Sequence, residues 1–135
     1  MSPWLEAILR FLVAVALGAS IGYQRERAGK AAGMRTHVLV SSGAALFTLV
    51  SIYGFSGAAV DISRVAAGVV VGIGFIGAGV ILRGQREEEV AGLTTAATIW
   101  ITAAIGLAAG AGMYLVSVIV TAIIIGVLLL PKIRG

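Results

Sequence analysis

Five apolar stretches divide this chain, at about residues 4–23, 36–53, 62–82, 93–109 and 113–130, and only short polar gaps separate them. Each is close to the roughly 20 residues that an α-helix needs to cross the hydrocarbon of a bilayer. A chain built this way has little left over to make a water-facing surface. Composition agrees: 59% of the 135 residues are hydrophobic and 12% are charged, whereas soluble domains carry about 25% charged residues. The expected fold is therefore an all-α polytopic membrane bundle of about five transmembrane helices, with the lipid bilayer as its solvent.

The net charge of +4 does not indicate nucleic acid, because the basic residues form no extended face. They lie in the gaps, as in cytoplasmic loops. The first gap holds Arg25, Arg27, Lys30 and Arg35, the third holds Arg83 and Arg86, and the tail holds Lys132 and Arg134. The second gap has no Lys or Arg, although Arg64 lies just inside the next stretch, and the fourth has no charge. This asymmetry puts the N-terminus outside and the C-terminus in the cytoplasm. The first stretch leads into a basic loop rather than a small-residue cleavage site, so a cleaved signal peptide is not expected.

Glu6 and Arg10 must lie within the first helix if it is to reach full length. Their i, i+4 spacing, acid first, is the favoured order for a helical ion pair. Trp4, Tyr53 and Tyr114 are placed at the outer interface and Tyr23 at the inner one, with Trp100 as a packing residue. Pro131 ends the last helix.

Glycine is abundant, with 19 residues. Gly18/Gly22, Gly68/Gly72 and Gly106/Gly110 form small-xxx-small pairs, which let helices approach closely in lipid. The third stretch is richest, with Gly68, Gly72, Gly74, Gly77 and Gly79, so this helix is expected either at the centre of the bundle or at a subunit contact. Gly72 to Gly77 also matches GxGxxG. That fingerprint binds a dinucleotide only at a strand-to-helix turn, and here it lies inside an apolar span; it reads as helix packing, and no cofactor is expected.

Asp61 is expected to cap the third helix, with Arg64 one turn on as its partner, or to join Arg64 in an outward-facing polar site. Thr94 or Thr95 is expected to cap the fourth helix, with Thr98 free to hydrogen-bond across helices. The segment from Arg25 and Glu26 through Lys30 to Arg35, Thr36 and His37 is the richest in chemistry. It reads as a topology signal against anionic headgroups, or as a docking surface or the mouth of an ion path. His37 is the only histidine and is expected in a hydrogen-bonded structural role. Glu87 to Glu89 form the only carboxylate run and read as a solvated turn, with weak cation attraction as the alternative. Cysteine is absent, so thiolate metal sites and disulfides are excluded. The carboxylates divide between the two membrane faces, and no metal centre or catalytic constellation is expected.

Taken in order, several blocks resemble the MgtC/SapB family of bacterial inner-membrane proteins. They are Gly22-Tyr23-Gln24-Arg25-Glu26, Ala32-Gly33-Met34-Arg35-Thr36-His37, Asp61-Ile62-Ser63-Arg64, Gly72-Ile73-Gly74-Phe75-Ile76-Gly77-Ala78-Gly79 and Gly92-Leu93-Thr94-Thr95-Ala96. The resemblance implies a multi-pass protein of the inner membrane with a role in adaptation to low Mg²⁺ and, in pathogens, survival inside macrophages. It also implies regulation of other membrane proteins, the ATP synthase among them, rather than Mg²⁺ transport. Many members carry a soluble C-terminal domain after the last helix, and no such domain is expected within these residues. Two functions follow. The first is a non-enzymatic regulator acting by helix–helix contact, as a homo-oligomer or with other membrane proteins. The second is a small oligomeric ion transporter or channel for Mg²⁺ or protons, using Glu6, Arg10, Thr94, Thr95, Thr98 and Thr102.

Overall fold

A computed structural model describes residues 2–83 and 89–131. Among them are five helices and no strand: α1 Pro3–Arg27, α2 Met34–Tyr53, α3 Ser63–Arg83, α4 Glu89–Gly110 and α5 Tyr114–Leu128. The first four are long and apolar enough to cross a membrane. The fifth has 15 residues, fewer than the 113–130 expected. The Leu129 amide is shared between Ile125 O and Gly126 O, and that of Leu130 donates to Val127 O, three residues earlier. Pro131 accounts for the early stop, since the residue before a proline is disfavoured in helical conformation.

The helix ends follow local chemistry. Ser2 Oγ accepts from the Leu5 amide at 3.2 Å, and Pro3 opens α1, a position where a missing N–H costs nothing. At the other end Gly29 turns to φ 71°. Its amide donates to Glu26 O and that of Lys30 to Arg25 O, each at 3.1 Å, the paired bonds of a Schellman cap. Gly112, at φ 86°, repeats the pattern after α4: its amide donates to Ala109 O, and that of Met113 to Ala108 O. That cap folds α5 straight back against the bundle.

Hydrophobicity is arranged as lipid requires. Phe75 is 77% exposed while Arg25 is only 3% exposed, the reverse of the order in water. The interior is made of small residues, with Ala14, Ala45 and Ala109 in one cluster and Ala32, Ala44, Ile73, Ile99 and Ala103 in another.

Glycine sets which helices lie inside. A Cβ on Gly18 would stand 2.7 Å from the His37 carbonyl oxygen, and one on Gly22 would stand 2.5 Å from Met34 Cα. From the other side, a Cβ on Gly106 would stand 2.7 Å from Ser41 Cα and one on Gly110 2.8 Å from the Ala45 oxygen. All are inside any real Cβ contact, so α2 is held at backbone distance between α1 and α4 through two of the three glycine pairs. Ser41 Oγ fastens it further by donating to Ala14 O at 2.8 Å.

The third pair lies elsewhere. Within one chain α3 packs chiefly on α4 at the rim, so the centre of the bundle belongs to α2 and α4. A Cβ on Gly68, Gly72, Gly74 or Gly79 would touch nothing within 4 Å, and only Gly77 has a neighbour, Ala96 Cβ at 3.6 Å. Trp100 is also not a packing residue: it is 55% exposed and borders a shallow groove between α3 and α4.

Candidate functional site

The side chains singled out by the sequence collect at the two ends of the bundle. One end gathers the last turns of α1 and α5 with the first turns of α2 and α4. Arg25 is buried there, and its Nη2 donates to Thr95 Oγ1 at 2.6 Å. It makes no ion pair among the described residues, and its Nε–H, also buried, has no partner there. A guanidinium is always charged, and burying one without a carboxylate is costly, so the hydroxyl of Thr95 carries much of its satisfaction.

His37 lies fully buried on the adjoining face of α2. Its Nδ1, 2.8 Å from Gly33 O, donates to that carbonyl, which fixes the ring and leaves Nε2 buried and without a partner among the described residues. The expected structural bond is present, and beside it stands an open nitrogen.

Glu26 has a separate task. Gly33, before α2, offers no side-chain cap, and Glu26 Oε1 reaches over from α1 to accept from the Met34 amide at 3.2 Å. A carboxylate at a helix N-terminus also meets the positive end of its dipole. Any side chain on Gly33 would collide with this cap, since its Cβ would stand 2.5 Å from Glu26 Oε1. The Glu26 and Gly33-Met34 blocks are thus two halves of one joint between α1 and α2.

Lys30 and Arg35 are exposed and Thr36 is half-buried. Thr94 and Thr95 do not cap α4, which starts a turn and a half earlier at Glu89. Glu89, Val90 and Ala91 continue the helix before Gly92, so both threonines are interior to it. Thr94 gives its carbonyl to Thr98 Oγ1 at 2.8 Å, so Thr98 bonds within its own helix rather than across to another. The side chain of Arg83 and the whole of Glu87 and Glu88 lie outside the described residues, as does the side chain of Glu89.

The opposite end is built around Glu6. Glu6 Oε2 accepts from Arg10 Nε at 3.0 Å, the expected i, i+4 pair, and also from the Tyr114 hydroxyl. Arg10 Nη1 donates to the Gly110 carbonyl at 3.1 Å, and its guanidinium lies over the Tyr53 ring at 5.7 Å. One ion pair therefore ties α1 to α2, α4 and α5. Tyr53 and Tyr114 read from sequence only as interface aromatics, because their partners are remote in the chain.

Asp61 caps, but not as expected. Its Oδ1 accepts from the Ser63 amide at 3.0 Å and from Ser63 Oγ at 2.7 Å. Those bonds hold its carboxyl below the usual carboxylate range, against a small opposing effect of desolvation. Arg64 forms no ion pair with it among the described residues and acts on the carboxyl only as a nearby positive charge. Among the described residues no three His, Cys, Asp or Glu side chains come together as a metal would require.

The chain is 51% identical over 115 residues to YhiD of Escherichia coli K12, a protein named as a candidate magnesium transporter; the match covers 81% of this chain and 53% of YhiD. It is 46% identical over 128 residues to SrpB of Synechococcus elongatus, covering 87% of the chain and 70% of SrpB. With MgtC of Salmonella typhimurium it shares 44% over 118 residues, covering 87% of the chain and 49% of MgtC. The chain thus spans about half the length of YhiD and of MgtC. No solved structure matches it. The MgtC family model matches residues 11–133, every block from Gly22 to Ala96 included, and the chain belongs to the MgtC family.

Proposed function

We propose that these residues form the membrane part of a protein serving Mg²⁺ homeostasis and adaptation to low Mg²⁺ in the bacterial inner membrane, and that it acts by contact with other membrane proteins rather than by transport or catalysis. The names of its relatives motivate the link to magnesium. The observation that carries the mode of action is the packing of α2 against α1 and α4 at backbone distance. The buried hydroxyls of Thr48, Thr98, Thr102 and Thr121 add no polar link between helices, since each donates to the carbonyl four residues back in its own helix, at 2.7–2.8 Å. The α1–α2–α4 contacts at backbone distance leave no lumen between those helices.

The contact surface we assign is on α3. Gly68, Gly72 and Gly79 fall on one face with Phe75, and nothing among the described residues covers the three glycines. Small residues on a lipid-facing helix suit close approach by a second helix, from another copy or another protein. The cytoplasmic placement of the basic end, with Arg25, Glu26, Lys30, Arg35, Thr36 and His37, rests on the positive-inside rule. The chain has no cysteine, so a single cysteine at Gly72 gives an unambiguous crosslinking probe in native membranes. The reading expects an adduct at position 72 and none at the opposite, α4-packed face, at Ile73. Equal yields at both positions would count against it.

A transporter is the second reading, favoured by the name of YhiD and by the Glu6–Arg10 pair within a spanning helix, since intramembrane charges are functional by default.

A further inference from the structure

At the basic end, α1 and α5 do not close against each other. They leave an open groove of about 790 Å³ with an apolar wall of Ala19, Met34, Ile125 and Leu129. Tyr23 and Arg27 stand at its polar mouth. The floor is held by Gln24, whose Nε2 donates to the Leu128 carbonyl at 3.5 Å and so joins the two helices.

Arg27 is presented in an unusual way. It is exposed and forms no ion pair among the described residues. Its guanidinium is nevertheless positioned: Nη1 donates to the Tyr23 hydroxyl at 3.1 Å, and the group lies 5.8 Å from the Tyr23 ring centroid. Among the described residues one of its five N–H donors is used, on an exposed side chain whose freedom is already reduced. Such a fork matches the oxygens of a phosphate.

The groove also lies at the depth where lipid headgroups meet acyl chains, because α1 is a spanning helix and Arg27 is its last residue. An apolar channel a few residues deep, with a cation at its rim that no carboxylate among the described residues pairs, fits an amphiphile with an anionic head and a hydrocarbon tail. We propose that this groove is a specific site for one anionic phospholipid. Its phosphate would be held by Arg27 beside Tyr23, and one acyl chain would lie along Ala19, Ile125 and Leu129. The site is independent of the α3 contact surface and lies on a different pair of helices.

The test is native mass spectrometry of the purified full chain in detergent, titrated separately with phosphatidylglycerol and phosphatidylcholine of the same acyl chains. One phosphatidylglycerol should be retained in preference to phosphatidylcholine. Arg27→Ala should weaken it roughly fivefold, the effect of one basic residue at a membrane surface. Ala19→Trp, which fills the wall and keeps the charge, should displace the lipid. Arg64→Ala, at the other end of the bundle, serves as the control for net charge and should change nothing. Thermal melting of each variant in the same detergent checks that it is folded. Equal retention of the two lipids would overturn the proposal, as would undiminished binding to folded Ala19→Trp. A loss on Arg64→Ala equal to that on Arg27→Ala would do the same, since it would show attraction to net charge alone.

Discussion

Arg25 and Thr95, seventy positions apart, meet at 2.6 Å in the interior, and among the described residues this hydroxyl is the sole acceptor of a buried guanidinium. The pair links the last turn of α1 to the interior of α4. Thr95→Val keeps the shape and removes the acceptor, so a charged donor is left buried and unpaired. The expected loss of stability is about 1–3 kcal/mol, and Thr95→Ser should recover most of it. Thermal denaturation in detergent measures both; equal behaviour of the Val and Ser variants would contradict the role given to the hydroxyl.

The glycines divide into two classes that one substitution can separate. Gly106→Ala drives a methyl into the Ser41 backbone, and overpacking of this kind costs about 1–3 kcal/mol. Gly72→Ala meets nothing among the described residues and replaces a poor helix former with a good one, so the single chain should be unharmed or stabilised by up to about 1 kcal/mol. Gly72→Leu should likewise fold but lose the crosslink read through a cysteine placed at Gly79 on the same face of α3. A Gly72→Leu chain that fails to fold would place α3 inside the bundle.

How far the fold could be read beforehand follows from these examples. The number and order of helices were legible because spanning length and apolar composition force them. The packing glycines of α1 and α4 were legible as pairs, but nothing in glycine density says which pair meets a neighbour. That is why α3, the richest helix, reads as either central or at a subunit contact, and within the chain it lies at the rim. Charges near the ends of apolar runs also read as surface charges. Arg25 is nevertheless buried, with Thr95 of α4 alongside it, and α4 begins at Glu89, about one turn before its apolar run. The same extension removed Thr94 and Thr95 from the capping role.

At the other end, Glu6 is shared between Arg10 and Tyr114. Tyr114→Phe and Arg10→Ala should each lower the melting temperature. Because both act through one carboxylate, their effects should not add. Additivity in a double-mutant cycle would mean that the tyrosine bond is independent of the ion pair.

Asp61 gives a pH prediction with a definite sign. Its bonds to Ser63 lower the carboxyl pKa in the folded chain. The stability it contributes is therefore present above the unfolded aspartate value of about 4 and is lost as pH falls through the folded value. Asp61→Asn should reduce the fall in melting temperature between neutral and acidic pH. An unchanged pH profile would show that the cap contributes nothing at equilibrium.

The central claim, action by contact rather than transport, is tested most directly by ion flux into proteoliposomes holding the purified chain, with Mg²⁺-sensitive and proton-sensitive dyes in separate samples. The account predicts flux no greater than in empty vesicles for both ions, from protein shown to be folded and inserted. Flux above that background, abolished by Arg10→Ala or Asp61→Asn, would make the protein a transporter and contradict the account.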